Sequence, residues 1–218
     1  MTVELLNTDC MSYMKTLPDN AFELAIVDPP YGIDVAKNGK VGGESLAQVK
    51  DYGAKDWDRF APDKNYFNEL KRISKNQIIW GANHFIGNFG FNQSSPCWIV
   101  WDKQNTGNFA DSELAYTSFK TAVRNFKYTW NGMLQGDMKN KEVRIHPTQK
   151  PIKLYEWLLK NYAKEGDRIL DTHLGSGSSA IAAHYAGFDF VGMELDEDYY
   201  KAACKRFDSE TAQLGMAI

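Results

Sequence analysis

Thirteen residues, Arg168-Ile169-Leu170-Asp171-Thr172-His173-Leu174-Gly175-Ser176-Gly177-Ser178-Ser179-Ala180, constrain the fold more than any other stretch of this 218-residue chain. An apolar strand ends in an acid, a loop with two glycines follows, and a helix opens on small residues. A second apolar strand, Phe188 to Met193, comes next and runs into Glu194-Leu195-Asp196. A strand, a helix and a second parallel strand form a crossover unit, whose helix has to cover a parallel sheet. Gly175 and Gly177 let a ligand approach the backbone, and the helix that opens after them presents free N–H groups and a positive dipole end. Glu194, nineteen residues after Gly175, is placed to accept bonds from two ribose hydroxyls. The loop has no Gly-Lys-Ser/Thr triphosphate clamp. A nucleoside cofactor therefore suits it, and a dinucleotide such as NAD suits it as well.

Upstream, the apolar run Leu24-Ala25-Ile26-Val27 reads as a second buried strand and delivers Asp28-Pro29-Pro30-Tyr31 at its carboxyl end. This quartet suits chemistry on a flat, weakly basic amine. The exocyclic amine of adenine or cytosine is a poor nucleophile because its lone pair is delocalised into the ring. A carboxylate with a backbone carbonyl beside it can accept both amine protons and draw the nitrogen towards a nucleophilic geometry. The prolines bring no competing N–H and fix φ, which aims the carbonyls. Tyr31 offers a face on which a base extruded from a helix can stack, for roughly 1–3 kcal/mol.

With His146-Pro147-Thr148-Gln149-Lys150-Pro151 between these two motifs, the chain resembles the S-adenosylmethionine-dependent DNA amino-methyltransferases, in the motif order of their β class. The resemblance runs from Asn7-Thr8-Asp9-Cys10 to the helix after Glu194. It implies an α/β fold: a single Rossmann-like methyltransferase domain over residues 1–218, with a mostly parallel seven-stranded sheet and helices on both faces. It assigns Asp28 and the Pro29 carbonyl to the target amine, with Pro30 in the same catalytic quartet and Tyr31 stacking on the base. To S-adenosylmethionine it assigns Asp171, His173, Gly175, Ser176, Gly177 and Ser178 at the methionine half, Glu194 at the ribose, and Asp9 with Cys10 at the adenine edge. The His146 to Pro151 segment, with Lys150, is expected to flank the methionine moiety; it also reads as a helix start with Pro151 in the first turn. Members usually carry Pro and Phe after the motif's Asp, where this chain has Thr172 and His173. His173 is therefore expected to supply the packing surface, with cofactor affinity the property it affects.

Asp at the head of the quartet resembles the enzymes that methylate adenine N6, whereas Ser is commoner in those that methylate cytosine N4. Methylation of cytosine N4, of an RNA adenine or of a protein glutamine stays open at this point, as does a DNA-binding protein that has kept the cofactor site and lost turnover. Direct transfer requires no covalent intermediate, so no cysteine has to act as nucleophile and no metal is implied. Double-stranded DNA is the expected partner, with a homodimer and a cognate restriction enzyme, or none, carried by the resemblance alone.

Length suits one well-filled domain, since 43% of the residues are hydrophobic. Without an apolar run of ~18 residues or a signal-like start, the expected location is cytoplasmic, with no membrane contact. Cys10, Cys97 and Cys204 are too widely spaced to suggest a disulfide framework or a zinc site. The net charge of −3 is unlike a nucleic-acid binder, but Lys120 to Lys153 holds eight basic residues against two acidic, leaving −9 for the rest. Asn105 to Arg144 holds Phe119, Arg124, Phe126, Lys127, Tyr128 and Trp130, basic and aromatic residues interleaved, so residues 105–145 form a candidate DNA-contacting segment, with about half of the rings expected as ordinary core. Residues 32–62, long and polar after the quartet, are expected to be a mobile loop that orders over the base or the DNA backbone. Strands are expected at 3–7, 23–27, 76–80, 97–101, 113–118, 168–170 and 188–193, and helices at 65–73, 152–163, 178–185 and 198–207. Asn83, Asp102 and Lys103 follow apolar strands and are expected near the base.

Overall fold

The computed structural model describes residues 1–35, 37, 40–41, 50–89, 94–104, 110–131 and 134–212. Among the described residues ten strands form: β1 (Val3–Asn7), β2 (Phe22–Val27), β3 (Lys40–Val41), β4 (Lys50–Asp51), β5 (Ser74–Trp80), β6 (Trp98–Asp102), β7 (Ser112–Thr117), β8 (Arg124–Lys127), β9 (Arg168–Asp171) and β10 (Asp189–Glu194). Five α-helices accompany them: α1 (Cys10–Met14), α2 (Lys64–Ile73), α3 (Ile152–Tyr162), α4 (Ser178–Ala186) and α5 (Glu197–Ala212). Eight strands make one sheet in the order β1-β10-β9-β2-β5-β7-β6-β8, and β3 and β4 pair separately as a short antiparallel ribbon. Seven strands of the large sheet run the same way, and β7 alone is antiparallel to its neighbours β5 and β6.

The expected sheet had seven strands, and the eighth is β8. Its four residues, Arg-Asn-Phe-Lys, are mostly exposed and pair only with β6 at the sheet edge, so they lack the apolar run that marks a buried strand. It arises inside the segment read for DNA contact. Parts of that segment, residues 105–109 and 132–133, lie outside the described residues, as do 36, 38–39 and 42–49 of the expected mobile loop.

The alternation of β2 builds two cores at once. Leu24 and Ile26 join Leu154, Leu158 and Ala180 beneath α3 and α4, while Ala25 and Val27 join Met14, Phe67, Leu70 and Ile73 beneath α1 and α2. Helix α2 forms because Asp63 caps it, accepting from the Asn65 and Tyr66 amides, and because Phe67, Leu70 and Ile73 recur on one face. Each of those buried side chains contributes about 1.5–3 kcal/mol. Among the described residues, no helix is long and apolar enough to cross a membrane.

Candidate active site

Strands β10, β9 and β2 are lateral neighbours and parallel, so their carboxyl ends bring Glu194, Asp171 and Asp28 to one edge of the sheet. Two of the three close their strands, and Asp28 follows the last residue of β2. Neighbouring strands lie about 4.8 Å apart, which places an acid suited to an amine beside one suited to a cofactor.

On the amine side, Asp28 is held from two directions. The Tyr31 hydroxyl donates to Asp28 Oδ1 at 2.8 Å and the Lys150 ammonium donates to Oδ2 at 2.6 Å. Lys150 also lies 3.1 Å from the Tyr31 hydroxyl and 2.9 Å from Glu113 Oε2, and Glu113 in turn forms a close ion pair with Lys103. Topology explains the chain of charges. Because β7 is antiparallel, it begins where the parallel strands end, so Glu113 near its start meets Asp28's edge, and Lys103 arrives just past β6. Lys150 is only 3% exposed. Burial opposes its charge, but Asp28 and Glu113 outweigh that penalty and hold its pKa above the ordinary lysine value. Burial pushes the Asp28 carboxyl up, with Lys150 opposing. Burial would also push Glu113 up, yet Lys150 and Lys103 prevail and bring it down to about 2.

The Tyr31 ring stacks on His84 at 4.9 Å with 14° between planes, and Lys150 sits 5.6 Å from the centres of both the Tyr31 and Trp80 rings. Room for Tyr31 comes from Gly81, at φ +67°. A Cβ there would stand 2.0 Å from Tyr31 Cε1. Gly81→Ala is therefore expected to displace Tyr31 from His84 and to impose left-handed strain of about 1–2 kcal/mol besides the clash. The measurable result is a melting temperature lower by at least about 2–4 °C together with loss of activity.

On the other side, Asp171 Oδ2 accepts from the Ser179 hydroxyl at 2.6 Å and Oδ1 from the His173 amide at 3.0 Å. Burial raises this carboxyl to about 7. Glu194 Oε2 accepts the Gly175 amide at 2.9 Å and Oε1 the Asp196 amide at 3.0 Å, which fixes both oxygens while leaving lone pairs for a diol. Gly175 and Gly177 have φ of +53° and +76°, and a Cβ on Gly175 would stand 3.8 Å from the His146 ring. Ser176 offers its carbonyl and Ser178 its hydroxyl to Arg206, both at 2.9 Å, so these two serines brace the loop from behind. Asp9 caps α1 through the Ser12 amide at 2.7 Å, and burial pushes the Cys10 thiol up to about 12, where it stays protonated. His173 lies edge-on to Tyr66 at 5.4 Å, while Thr172 links the Tyr66 hydroxyl at 2.6 Å to His173 Nδ1 at 2.9 Å. Burial lowers His173 to about 4, so it packs as a neutral ring.

This donor set fits S-adenosylmethionine. A buried carboxylate pushed up to about 7 favours a cationic ligand, the glycine loop admits close approach, and the braced Glu194 suits a ribose. Among the described residues, no three His, Cys, Asp or Glu side chains group as a metal site.

The His146 to Pro151 segment spans the two halves. His146 packs on Tyr199 at 4.4 Å beside the glycine loop, whereas Lys150 reaches the Asp28 cluster rather than that loop. Glu142 anchors the segment, accepting the Ile152 amide at 3.0 Å and pairing with Arg206 at 2.7 Å. Asp102 turns away to accept the Gln104 amide, and Asn83 lies exposed on a short helical turn. Phe119, Phe126, Tyr128 and Trp130 pack against the core under α3, while the exposed groups among the described residues of that segment include the bases Lys120, Arg124, Lys127, Lys139 and Lys141 beside the apolar Val123, Leu134, Met138 and Val143. Gly81 and His84 lie in the stretch Trp80 to Phe85, which follows an apolar strand and so belongs to this edge, whereas Glu113 and Asp58 follow no such run and carried no local signal.

A family model described as DNA methylase, of the N6/N4 type, matches residues 75–205. The chain belongs to the N6/N4 DNA methylase family. This methylase is 26% identical to the Type II methyltransferase M2.DpnII of Streptococcus pneumoniae, over 94% of its own length and 90% of the relative's. Its fold is similar to the M1.HpyAVI–SAM complex, with a TM-score of 0.58 at 19% identity, covering 94% of the methylase and 100% of that chain. It is similar too to the cytosine-N4-specific PvuII DNA methyltransferase, with a TM-score of 0.62 at 13% identity, covering 97% and 91%. The fold is therefore shared with a cytosine enzyme, and the target base has to be argued from the site.

Proposed function

We propose that this methylase transfers a methyl group from S-adenosylmethionine to the exocyclic N6 amine of adenine in double-stranded DNA, with the base turned out of the helix. One observation carries the proposal: Asp28, held by Lys150 and Tyr31, directly follows the strand next to the one that ends in Asp171 and leads into the glycine loop. The cofactor supplies an activated methyl on a cationic sulfur. The chain supplies the rest. Asp28 and the Pro29 carbonyl accept the amine protons, localising the lone pair on the nitrogen, and the rigid prolines keep both acceptors in place while attack proceeds. Lys150 opposes the rise that burial imposes on the Asp28 carboxyl and so favours the ionised form that can accept. The Tyr31 hydroxyl occupies Asp28 Oδ1, and an incoming amine exchanges with it at that oxygen while the base stacks on the ring. An Asp rather than a Ser in first place supports adenine over cytosine.

The test is incubation with methyl-labelled cofactor and plasmid DNA from a host lacking adenine methylation, followed by digestion to nucleosides. Label in N6-methyladenine is the expected result; label in N4-methylcytosine, in RNA or in protein, or no label, overturns the reading. Homodimerisation and pairing with a cognate restriction enzyme accompany it as expectations of family likeness.

Cofactor binding should depend on pH through Asp171. Its folded pKa of about 7 means that a cationic ligand has to displace a proton below that value. Affinity should tighten by up to about tenfold per unit from pH 5 to pH 7, with proton release seen by calorimetry in two buffers, and Asp171→Asn should flatten the profile.

A further inference from the structure

The segment Lys55–Asp58 touches both halves of the site. Asp58, 2% exposed, accepts from three backbone amides of the catalytic loop: Tyr31 at 2.7 Å, Gly32 at 3.1 Å and Val35 at 2.9 Å. Its own carbonyl accepts the Asp34 amide at 3.1 Å. Positive φ at Gly32 (73°) and Asp34 (58°) turns these amides to one side, the geometry of a backbone anion nest, and the anion is a side chain of the same protein. Among the described residues no cation pairs with Asp58. Three residues earlier, Lys55 pairs with Asp196 at 2.7 Å and Asp198 at 2.9 Å, just beyond Glu194. Between them, the Trp57 ring lies 5.2 Å from His146, which packs beside the glycine loop.

We propose that Lys55–Asp58 is a strap that sets the catalytic loop against the cofactor side, with Asp58 as a positioning residue for methyl transfer. It rests on the methyl-transfer reading above. Asp58 touches no reacting atom; it fixes the backbone that carries Asp28, Pro29 and Tyr31, and Lys55 fixes the strap to the end of β10. A buried carboxylate held by main-chain amides is costly unless those amides are kept in place, so loop and strap order each other.

Asp58→Asn is nearly isosteric but turns an amide donor towards at least one of the three N–H groups. Labelled-methyl transfer to the plasmid DNA is expected to fall by about ten- to hundredfold in kcat, with cofactor Kd without DNA within about twofold of wild type. Lys55→Met leaves the nest intact and should lower kcat by about threefold or more, with Lys55→Arg restoring it; a merely exposed ion pair would leave kcat unchanged. Hydrogen exchange of the 31–35 amides gives a readout independent of activity: it should speed up by about tenfold or more in Asp58→Asn and less in Lys55→Met. Unchanged exchange in a folded Asp58→Asn protein, or wild-type kcat and exchange in Lys55→Met, overturns the strap. Should Asp58→Asn fail to fold, the two Lys55 variants decide. Wild-type protein that transfers no label while showing the expected exchange defeats the methyl-transfer reading instead, and leaves the strap as a structural device.

Discussion

Asp28→Ala is expected to lower methyl transfer by about a thousandfold or more while cofactor binding stays within about twofold of wild type. The carboxylate is the only anionic side chain of the quartet, and its removal leaves the Pro29 carbonyl without the acceptor that works beside it to localise the amine lone pair. Its removal takes one partner from Lys150, whose ammonium keeps Glu113 Oε2 at 2.9 Å and is not left unpaired. The fold should therefore survive. On the cofactor side, Asp171 and Glu194 are held by Ser179, His173, Gly175 and Asp196 and use nothing from Asp28 for their geometry. Single-turnover transfer and calorimetric cofactor binding measured on the same preparation check this. Near-normal transfer would remove Asp28 from the mechanism, and parallel loss of cofactor binding would mean structural collapse.

Lys150→Met should damage both stability and activity. It removes the buried cation shared by Asp28 and Glu113, and breaking a buried pair by deleting one partner costs about 3–5 kcal/mol. Glu113 retains Lys103; among the described residues Asp28 retains only the Tyr31 hydroxyl. The sign of the pH effect follows. Burial already raises the Asp28 carboxyl and Lys150 opposes that rise, so deleting Lys150 moves its pKa further up. A carboxyl that must be ionised to accept protons is then ionised only at higher pH than in the wild type, so activity recovers as pH increases. The variant's pH–rate profile should have its acidic limb displaced to higher pH than wild type, a shift that simple loosening of the fold would not produce. Adding Glu113→Gln should restore part of the lost stability, because one unpaired charge goes with it, and should not restore activity. A melting curve with and without the second substitution tests that non-additivity.

The strands that matter for function were legible as runs of apolar residues. Leu24 to Val27 and Arg168 to Leu170 fall inside β2 and β9, and their neighbours Phe188 to Met193 fall almost wholly inside β10. Buried parallel strands need apolar side chains on both faces, and an acid or glycine directly after such a run stands out. β8 was not legible, because an exposed edge strand needs no such run. The interleaved rings at 119–130 read as a nucleic-acid surface or as core, and the structure packs Phe119, Phe126, Tyr128 and Trp130 alike against the core beneath α3. Ring and base alternate in the sequence, and only the direction of each side chain separates core from surface.

By itself the sequence determined the two motifs, their order, and the adjacency of acid to strand end, since these are properties of contiguous residues. Tertiary structure alone decided who stands beside Asp28. Lys150 lies 122 positions away at 2.6 Å, Glu113 comes from the one antiparallel strand, and Asp58 holds Tyr31 across 27 positions. No local pattern encodes such contacts. They follow from strand order and direction, which place the ends of β2, β5, β9 and β10 and the start of β7 along one edge.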